Sequence, residues 1–173
     1  MIRRMAPALS RRSLTFSGVG LAFSAAVARR GLAESTAAKF DVTKPDAEWK
    51  ADLTPAQYDV LRRHGTERPG SSPLDKTYAS GEYRCAGCGH PLFSSEAKYE
   101  SGTGWPSFFA PLGNAVGSST DRTLAYPRAE IHCRRCGGHL GHVFDDGPAP
   151  TGKRYCMNGV ALTFVPEGAN RPK

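Results

Sequence analysis

The chain has 173 residues, of which 39% are hydrophobic and 23% charged, a composition that allows a packed domain and excludes wholesale disorder. Its formal net charge of +7 is concentrated at the N-terminus, because residues 1–33 contain six arginines and no acidic residue. The other 140 residues carry 17 basic and 16 acidic side chains, so they lack the basic face that a general nucleic-acid-binding protein requires.

Residues 1–33 have the three parts of an export signal: a basic start, an apolar middle and an end rich in small residues. The segment Ser10–Leu14 resembles a twin-arginine signal, which predicts a periplasmic protein. A mitochondrial presequence is the alternative, because such presequences are also rich in Arg and Ser and poor in acids. The longest uncharged run, residues 13–28, is shorter than the roughly 20 residues that span a bilayer. We therefore expect a cleaved leader and no stable membrane insertion.

After the leader, residues 34–48 are mixed and polar, which predicts a flexible lead-in, and Trp49 is the first large apolar anchor. A helix is predicted next. Thr54 can cap it, Pro55 suits its first position and Gly65 can terminate it.

Beyond Tyr83, short apolar runs separated by glycines and prolines predict the strands of a small antiparallel β domain. These runs are residues 91–93, 107–109, 123–126, 130–132, 142–144 and 160–165. The predicted domain covers residues 49–167, and a short tail follows at residues 168–173.

Four of the five cysteines form two Cys-x-x-Cys pairs, each followed by glycine: Cys85 with Cys88, and Cys133 with Cys136. Two residues between sulfurs allow a tight turn to direct both thiolates at one ion, and two such turns complete a closed tetrahedral site. The sequence therefore predicts one structural zinc ion. A pair of disulfides is the alternative, which an exported protein could contain.

The fifth cysteine, Cys156, follows Lys153 and Arg154, and a positive environment lowers the pKa of a thiol. An inert buried cysteine is the alternative interpretation. His139 and His142 come directly after the second cysteine pair, and two histidines near a lone cysteine indicate acid–base chemistry around a nucleophile.

Five motifs, in this order along the chain, together resemble the methionine-R-sulfoxide reductases of the B type. They are Gly65-Thr-Glu-Arg-Pro69, Tyr83-Arg-Cys-Ala-Gly-Cys-Gly89, Ser101-Gly-Thr-Gly-Trp-Pro-Ser-Phe108, Cys136-Gly-Gly-His-Leu-Gly-His-Val-Phe-Asp-Asp-Gly-Pro148 and Arg154-Tyr-Cys-Met-Asn158. The resemblance extends from about Trp49 to Pro166. It implies a mainly β fold, a β-tent of two antiparallel sheets with short N-terminal helices.

The resemblance also implies an enzyme that reduces the R epimer of methionine sulfoxide, free or within oxidised proteins. It assigns the role of nucleophile to Cys156, which attacks the sulfoxide sulfur and is left as a sulfenic acid. It places His139, His142 and Asn158 on the oxygen side of the site, where an imidazole can donate a proton. An external thiol, from thioredoxin, glutaredoxin or another reductant, then restores the cysteine.

Three further residues are expected to bind the substrate or support the site. The resemblance places Trp105 against the substrate methyl group, and it gives Arg154 a supporting role through a carboxylate such as Asp146. Phe144 is the third predicted substrate-binding residue. We expect the enzyme to be a monomer.

The chain departs from the commonest pattern of this family at Thr103, where many members have a resolving cysteine. All five cysteines already have predicted roles, so the sequence offers no obvious replacement. This departure puts an intramolecular disulfide step in doubt and leaves the attack by Cys156 unaffected.

Two other classes of protein are compatible with parts of the pattern. A zinc-ribbon module that binds nucleic acid or protein would have the same cysteine pairs, but it would have no use for Cys156. A thiol–disulfide oxidoreductase would use one Cys-x-x-Cys pair and would require that pair to be free of metal.

Overall fold

Two short helices begin the described part of the chain, which in this computed structural model is residues 40–169. Helix α1 is Asp46–Asp52 and helix α2 is Pro55–Arg63. The predicted cap of α2 is confirmed: the Thr54 hydroxyl accepts a hydrogen bond from the N–H of Gln57, and the Gln57 side chain accepts one from the N–H of Thr54. Helix α2 ends at Arg63, where His64, with a φ of 57°, takes the left-handed conformation. The predicted terminator, Gly65, lies in this helix-ending turn and donates its N–H to the carbonyl of Asp59 at 3.0 Å.

Helix α1 begins inside the segment predicted to be a flexible lead-in, residues 34–48, so that prediction is wrong for residues 46–48. The reason is packing, since Trp49 is only 3% exposed and the Arg62 guanidinium lies 4.9 Å from its ring centroid. The predicted leader, residues 1–33, lies outside the described residues. Within residues 40–169, neither helix is long and apolar enough to cross a bilayer.

Between residues 40 and 169, nine strands form two antiparallel sheets, so the predicted fold class is confirmed. The three-stranded sheet has the order β2-β1-β9, and the six-stranded sheet has the order β3-β4-β8-β7-β6-β5. The strands are β1 Gly81–Cys85, β2 Pro91–Ser94, β3 Lys98–Tyr99, β4 Ser107–Phe108, β5 Val116–Asp121, β6 Arg128–Cys133, β7 His139–Phe144, β8 Arg154–Met157 and β9 Leu162–Pro166. Single 3₁₀ turns lie at Pro73–Lys76, Ser95–Ala97 and Gly159–Ala161.

Five of the six predicted strand runs lie in or overlap a strand, but the run at residues 123–126 does not. This segment connects β5 to β6, and the Asp121 side chain accepts a hydrogen bond from the N–H of Thr123, which favours a turn. Leu124 and Tyr126 are consequently exposed. Strand β5 was missed because its sequence, from Val116 to Asp121, is mostly small and polar.

The two sheets are joined by a cluster of buried aromatic rings. Phe93 of β2 stacks on Phe108 of β4, with ring centroids 4.3 Å apart and an interplanar angle of 15°. Tyr83 of β1 meets the same Phe108 ring edge-on at 4.9 Å. Strand β4 pairs with β8, so the packing of Phe108 in this cluster also positions β8 relative to the three-stranded sheet.

We predict that Phe93→Ala destabilises the domain by about 3–5 kcal/mol, because the ring is fully buried and its removal leaves a cavity between the sheets. The matched control is Tyr126→Ala, which removes a ring that is 61% exposed and should change the free energy of unfolding by less than about 0.5 kcal/mol. Denaturant unfolding of both variants measures the difference. Equal free energies of unfolding for the two variants would contradict the placement of Phe93 in the core.

Candidate active site and metal centre

The four paired cysteines come together where the two sheets approach each other. Cys85 ends β1 and Cys133 ends β6, while Cys88 and Cys136 lie in the turns that follow. The Sγ atoms of Cys85 and Cys136 are 3.7 Å apart, and those of Cys88 and Cys133 are 3.6 Å apart. All four sulfurs lie within 4.8 Å of one another.

These separations match a metal site better than disulfides. A tetrahedral ion with bonds of about 2.3 Å to sulfur separates its sulfurs by about 3.8 Å, whereas a disulfide requires about 2.05 Å. All four cysteines are free thiols, so the alternative of two disulfides does not describe this structure. The four-cysteine cluster could therefore hold a metal ion, as its spacing in the sequence predicted.

The glycine that follows each cysteine pair has a specific function. Gly89 and Gly137 have φ values of 70° and 69°, in the left-handed region. Each donates its N–H to the carbonyl of the first cysteine of its pair, Cys85 or Cys133, at 2.8 Å. The two turns are thus alike, and each directs both of its sulfurs towards the centre of the cluster.

A separate cavity of about 300 Å³ contains most of the predicted catalytic and substrate-binding residues. Its lining includes the predicted site residues Trp105, His142, Phe144, Arg154, Cys156 and Asn158, together with Thr66, Thr103, Arg128 and Gly141. His139 is the predicted site residue that does not line it. That imidazole lines a neighbouring cavity of about 310 Å³, which it shares with His142.

Cys156 lies in the middle of the six-stranded sheet, on β8. Its register partners are His142 on β7 and Ser107 on β4. Side chains of directly paired residues lie on the same face of an antiparallel sheet, so the thiol, the imidazole and the hydroxyl face the same side.

The pKa of the Cys156 thiol is raised above its ordinary value, chiefly because the thiol is buried. A hydrogen bond from Thr103 and the charge of Arg154 oppose this shift without cancelling it. Lys153 does not help, since its ammonium pairs with the exposed carboxylate of Asp145. Arg154 thus acts in the expected direction, but burial outweighs it, and the expected net lowering of the Cys156 pKa is wrong for the free enzyme.

A chain of hydroxyl groups leads to the thiol. The Oγ atoms of Ser107 and Ser101 are 2.8 Å apart, and Ser101 Oγ lies 2.8 Å from Thr103 Oγ1. Thr103 Oγ1 is in turn 3.9 Å from the sulfur of Cys156. The residue at the resolving position thus presents a hydroxyl group to the thiol.

Each of the two histidines is bound to a carboxylate that sequence reasoning had missed. His142 Nε2 is 2.8 Å from Asp121 Oδ2, and His139 Nδ1 is 2.7 Å from Glu130 Oε1. Burial lowers the pKa of His142, while the hydrogen bond with Asp121 opposes that shift. The hydrogen bond with His139 and one from Ser119 hold the pKa of Glu130 at about 2. The available signal for Glu130 was an acidic residue beside Ile131 in a predicted strand.

The Nε2 atom of His139 is buried, and within residues 40–169 it has no hydrogen-bond partner. Because His139 Nδ1 faces a carboxylate, the neutral ring carries its hydrogen there, and Nε2 is left as a lone pair.

Asn158 holds a loop that forms part of the cavity wall. Its Oδ1 accepts a hydrogen bond from the N–H of Glu67 at 3.0 Å, and its Nδ2 donates to the carbonyl of Leu140 at 3.0 Å. The indole N–H of Trp105 donates to the carbonyl of the same Glu67 at 3.2 Å. Glu67 is thus a third missed residue, after Asp121 and Glu130; it lies within one of the recognised motifs but was given no role.

Arg154 is held as the sequence suggested, through Asp146. Two parallel hydrogen bonds of 2.8 Å join the guanidinium to that carboxylate. The guanidinium also lies 4.4 Å from the ring centroid of Phe144, so Phe144 supports Arg154 as well as lining the cavity.

Comparison with known proteins agrees with this geometry. Residues 53–166 match the SelR domain family. The chain is 55% identical over 128 residues to a peptide methionine sulfoxide reductase MsrB of Thiobacillus denitrificans, covering 73% of this chain and 97% of the relative. It is 53% identical over 126 residues to the protein of that name from Agrobacterium fabrum, covering 72% and 93%. For the Leptospira interrogans protein the identity is 51% over 129 residues, covering 74% and 98%. The chain therefore belongs to the methionine-R-sulfoxide reductase B family.

Proposed function

We propose that this enzyme reduces the R epimer of methionine sulfoxide to methionine, in peptides and proteins, by attack of the Cys156 thiolate on the sulfoxide sulfur. Family membership makes the chain a peptide-methionine (R)-S-oxide reductase, an oxidoreductase. The observation that carries the mechanism is the convergence of the Cys156 thiol, the His142 imidazole and the Trp105 indole on one cavity.

The chemistry requires one proton and one thiolate. A sulfoxide sulfur is a poor electrophile until its oxygen is protonated or strongly hydrogen-bonded, and the paired histidines supply that donor. The Cys156 sulfur forms a bond to the substrate sulfur, and the protonated oxygen then passes to the cysteine sulfur as the substrate S–O bond breaks. Cleavage of the S–S bond releases methionine. Thiolate, sulfoxide and one proton are thereby converted to methionine and a sulfenic acid on Cys156, with the substrate reduced and the cysteine oxidised.

The two carboxylates act as positioning groups for this proton transfer. Asp121 orients the ring of His142, which lies beside the reacting thiol and shares its face of the sheet. Glu130 fixes the tautomer of His139, whose ring centroid is 5.4 Å from that of His142. Asp121 also stabilises the imidazolium form of His142 when that ring takes up a proton.

The choice of epimer requires the site to distinguish a methyl group from an oxygen atom. Trp105 and Phe144 offer aromatic surface to the cavity, while His142 and Arg154 offer donors. The R epimer would place its methyl group against the indole and its oxygen towards the imidazole. The other epimer would leave the oxygen without a donor in a mostly apolar pocket, which is costly.

We expect the enzyme with a dithiol reductant to convert peptide-bound methionine-R-sulfoxide and to leave the S epimer unchanged. Cys156→Ser should abolish turnover, because a hydroxyl is not an effective nucleophile here, whereas Lys153→Ala should keep close to the wild-type rate because Lys153 pairs with Asp145 outside the cavity. Chiral chromatography of the remaining sulfoxide measures both. Turnover by Cys156→Ser, or equal consumption of the two epimers, would refute the proposal.

We also propose that the four-cysteine cluster holds one structural zinc ion. The donor set is all sulfur and the ligands come from both sheets, so a bound ion cross-links the two sheets behind the active site. A closed set of four ligands leaves no open position for substrate, which assigns the ion to folding and not to the reaction.

If that is correct, Cys85→Ser should lose the metal and unfold at a much lower temperature, because the apparent binding free energy of such sites, about 10–16 kcal/mol, contributes to folding. Cys156→Ser is the matched control, and it should retain one zinc per chain and the wild-type melting temperature. Elemental analysis and thermal unfolding of the two variants provide the test. A stable, active and metal-free Cys85→Ser protein would overturn the structural role.

The recycling step depends on Thr103, which presents a hydroxyl to Cys156 and cannot form a disulfide. With the other four thiols in the cluster, the sulfenic acid persists until an external thiol attacks its sulfur and releases water. Thioredoxin, glutaredoxin or a small dithiol can each serve as this reductant.

A single turnover without reductant tests this step. The wild-type enzyme should form one methionine and lose one of its five thiols, counted after denaturation and metal removal. Thr103→Cys places a thiol about where the hydroxyl now lies, 3.9 Å from the Cys156 sulfur, and should give an intramolecular disulfide with loss of two thiols. Thr103→Ser should behave as the wild type. Loss of two thiols by the wild-type enzyme would show that a cluster cysteine resolves the sulfenic acid.

A further inference from the structure

A second group of metal-ligating side chains lies outside the four-cysteine cluster. It consists of His64 at the end of α2, Glu130 on β6 and His139 on β7, and we refer to it as the His–Glu–His cluster. His64 Nδ1 is 3.0 Å from Glu130 Oε1, and His139 Nδ1 is 2.7 Å from the same oxygen. One donor atom from each residue lies within 4.8 Å of the other two.

The backbone of His64 brings its imidazole to this position. Among the described non-glycine residues, His64 alone has a positive φ, 57°, at the point where the chain leaves α2. Its ring lies over that of His139, with centroids 5.2 Å apart and an interplanar angle of 37°. The three side chains differ in exposure: 63% for His64, 10% for Glu130 and 2% for His139. Two side chains of the cluster, Glu130 and His139, are thus buried, and the third, His64, lies at the surface and can move.

The donors suit a particular class of ion. Two imidazole nitrogens and one carboxylate oxygen favour Zn²⁺, Cu²⁺, Ni²⁺ or Co²⁺ over Mg²⁺ and Ca²⁺, which prefer oxygen alone. We propose that the His–Glu–His cluster is a second, inhibitory binding site for a divalent cation of this class.

The cluster needs only a small adjustment to accept such an ion. Tetrahedral zinc, with bonds of about 2.0–2.1 Å to nitrogen and oxygen, separates its ligand atoms by about 3.3 Å. The present separations from Glu130 to the two imidazoles must therefore widen by a few tenths of an ångström. The exposed His64 can move to widen its own separation from Glu130, whereas the buried Glu130 and His139 must separate by about 0.6 Å. All three side chains line the neighbouring cavity of about 310 Å³, from which solvent supplies the fourth ligand.

The charged side chains that line this cavity include both anions, which favour binding of a cation, and cations, which oppose it. Glu130 and Asp121 are anionic and line it together with Arg122 and Arg128, and Arg128 is already paired with Asp121 at 2.6 Å. Coordination through Nδ1 also moves the hydrogen of His139 to Nε2, which is buried and lacks a partner among residues 40–169. Both features weaken binding relative to the four-cysteine cluster. The cysteines are therefore occupied first and the His–Glu–His cluster second.

Inhibition follows from the identity of the ligands and rests on the proposed function of His139. An imidazole bound to a cation cannot take up a proton, and Glu130 bound to the same ion no longer fixes the tautomer of His139. Occupancy should thus remove one proton donor from the active site while leaving the Cys156 thiol in place.

The experiment begins with enzyme that carries one zinc per chain and adds zinc chloride without any dithiol, because dithiols bind zinc. Equilibrium dialysis should show a second equivalent, and the single-turnover rate of methionine formation should fall by about 10²-fold, as for loss of a general acid. Magnesium chloride at the same concentration should do neither.

Two variants distinguish zinc bound at the His–Glu–His cluster from zinc bound by other thiol or imidazole side chains. His64→Asn keeps a residue that tolerates the left-handed conformation but removes the imidazole. It should bind only the first equivalent and keep its single-turnover rate when zinc is added. Cys156→Ser should still bind the second equivalent. Retention of the second equivalent by His64→Asn, or its loss in Cys156→Ser, would overturn the proposal.

The binding measurement does not depend on turnover. If the enzyme failed to reduce the R epimer, the proposed function would fail, yet dialysis of His64→Asn against the parent protein would still decide the cation site. Absence of any second equivalent in the parent protein would refute the site directly.

Discussion

The pairing of β7 with β8 is the constraint on which the active site depends. It sets His142 opposite Cys156, and it is possible only because Gly141 lacks a side chain. A Cβ atom at Gly141 would lie 2.1 Å from the carbonyl oxygen of Cys156, so any larger residue would force the two strands apart. The thiol and its imidazole partner are thus positioned by backbone contact in the centre of a sheet. Elements that adjoin these strands, from the aromatic cluster to the four-cysteine turns, maintain that register.

Burial shifts the pKa values of the thiol and the imidazole of the site in opposite directions. It raises the pKa of Cys156 and lowers that of His142, so in the free enzyme both groups favour their neutral forms. The carboxylates are different, because hydrogen bonds hold Glu130 and Asp121 in their ionised forms. Two ionised carboxylates therefore contact the two histidines, Asp121 at His142 and Glu130 at His139. At His142, the hydrogen bond with Asp121 opposes the effect of burial on the pKa of the imidazole.

Much of this organisation was predictable from the sequence, because local patterns determine it. The doubled Cys-x-x-Cys-Gly spacing predicted the four-cysteine cluster, and Thr54 with Pro55 predicted the start of α2. Other features depend on tertiary contacts that no local pattern reports. Strand β5 is polar and forms by pairing with β6, helix α1 forms around the burial of Trp49, and Glu130 reaches His139 across the sheet. The pKa of Cys156 was misjudged for the same reason, since adjacent basic residues in sequence do not reveal burial.

The position of Glu67 has a consequence for the order in which the enzyme is made. Its N–H bonds to Asn158, 91 residues further along the chain, and its carbonyl bonds to Trp105. A ribosome synthesises the chain from the N-terminus, so the four cluster cysteines emerge before Cys156 and before the asparagine that closes the cavity wall. Assembly of the reactive pocket must wait for the last strands of the domain. A nascent chain therefore presents all four cluster cysteines before Cys156 has been synthesised, and the Cys156 thiol is enclosed only when the last strands of the domain have formed.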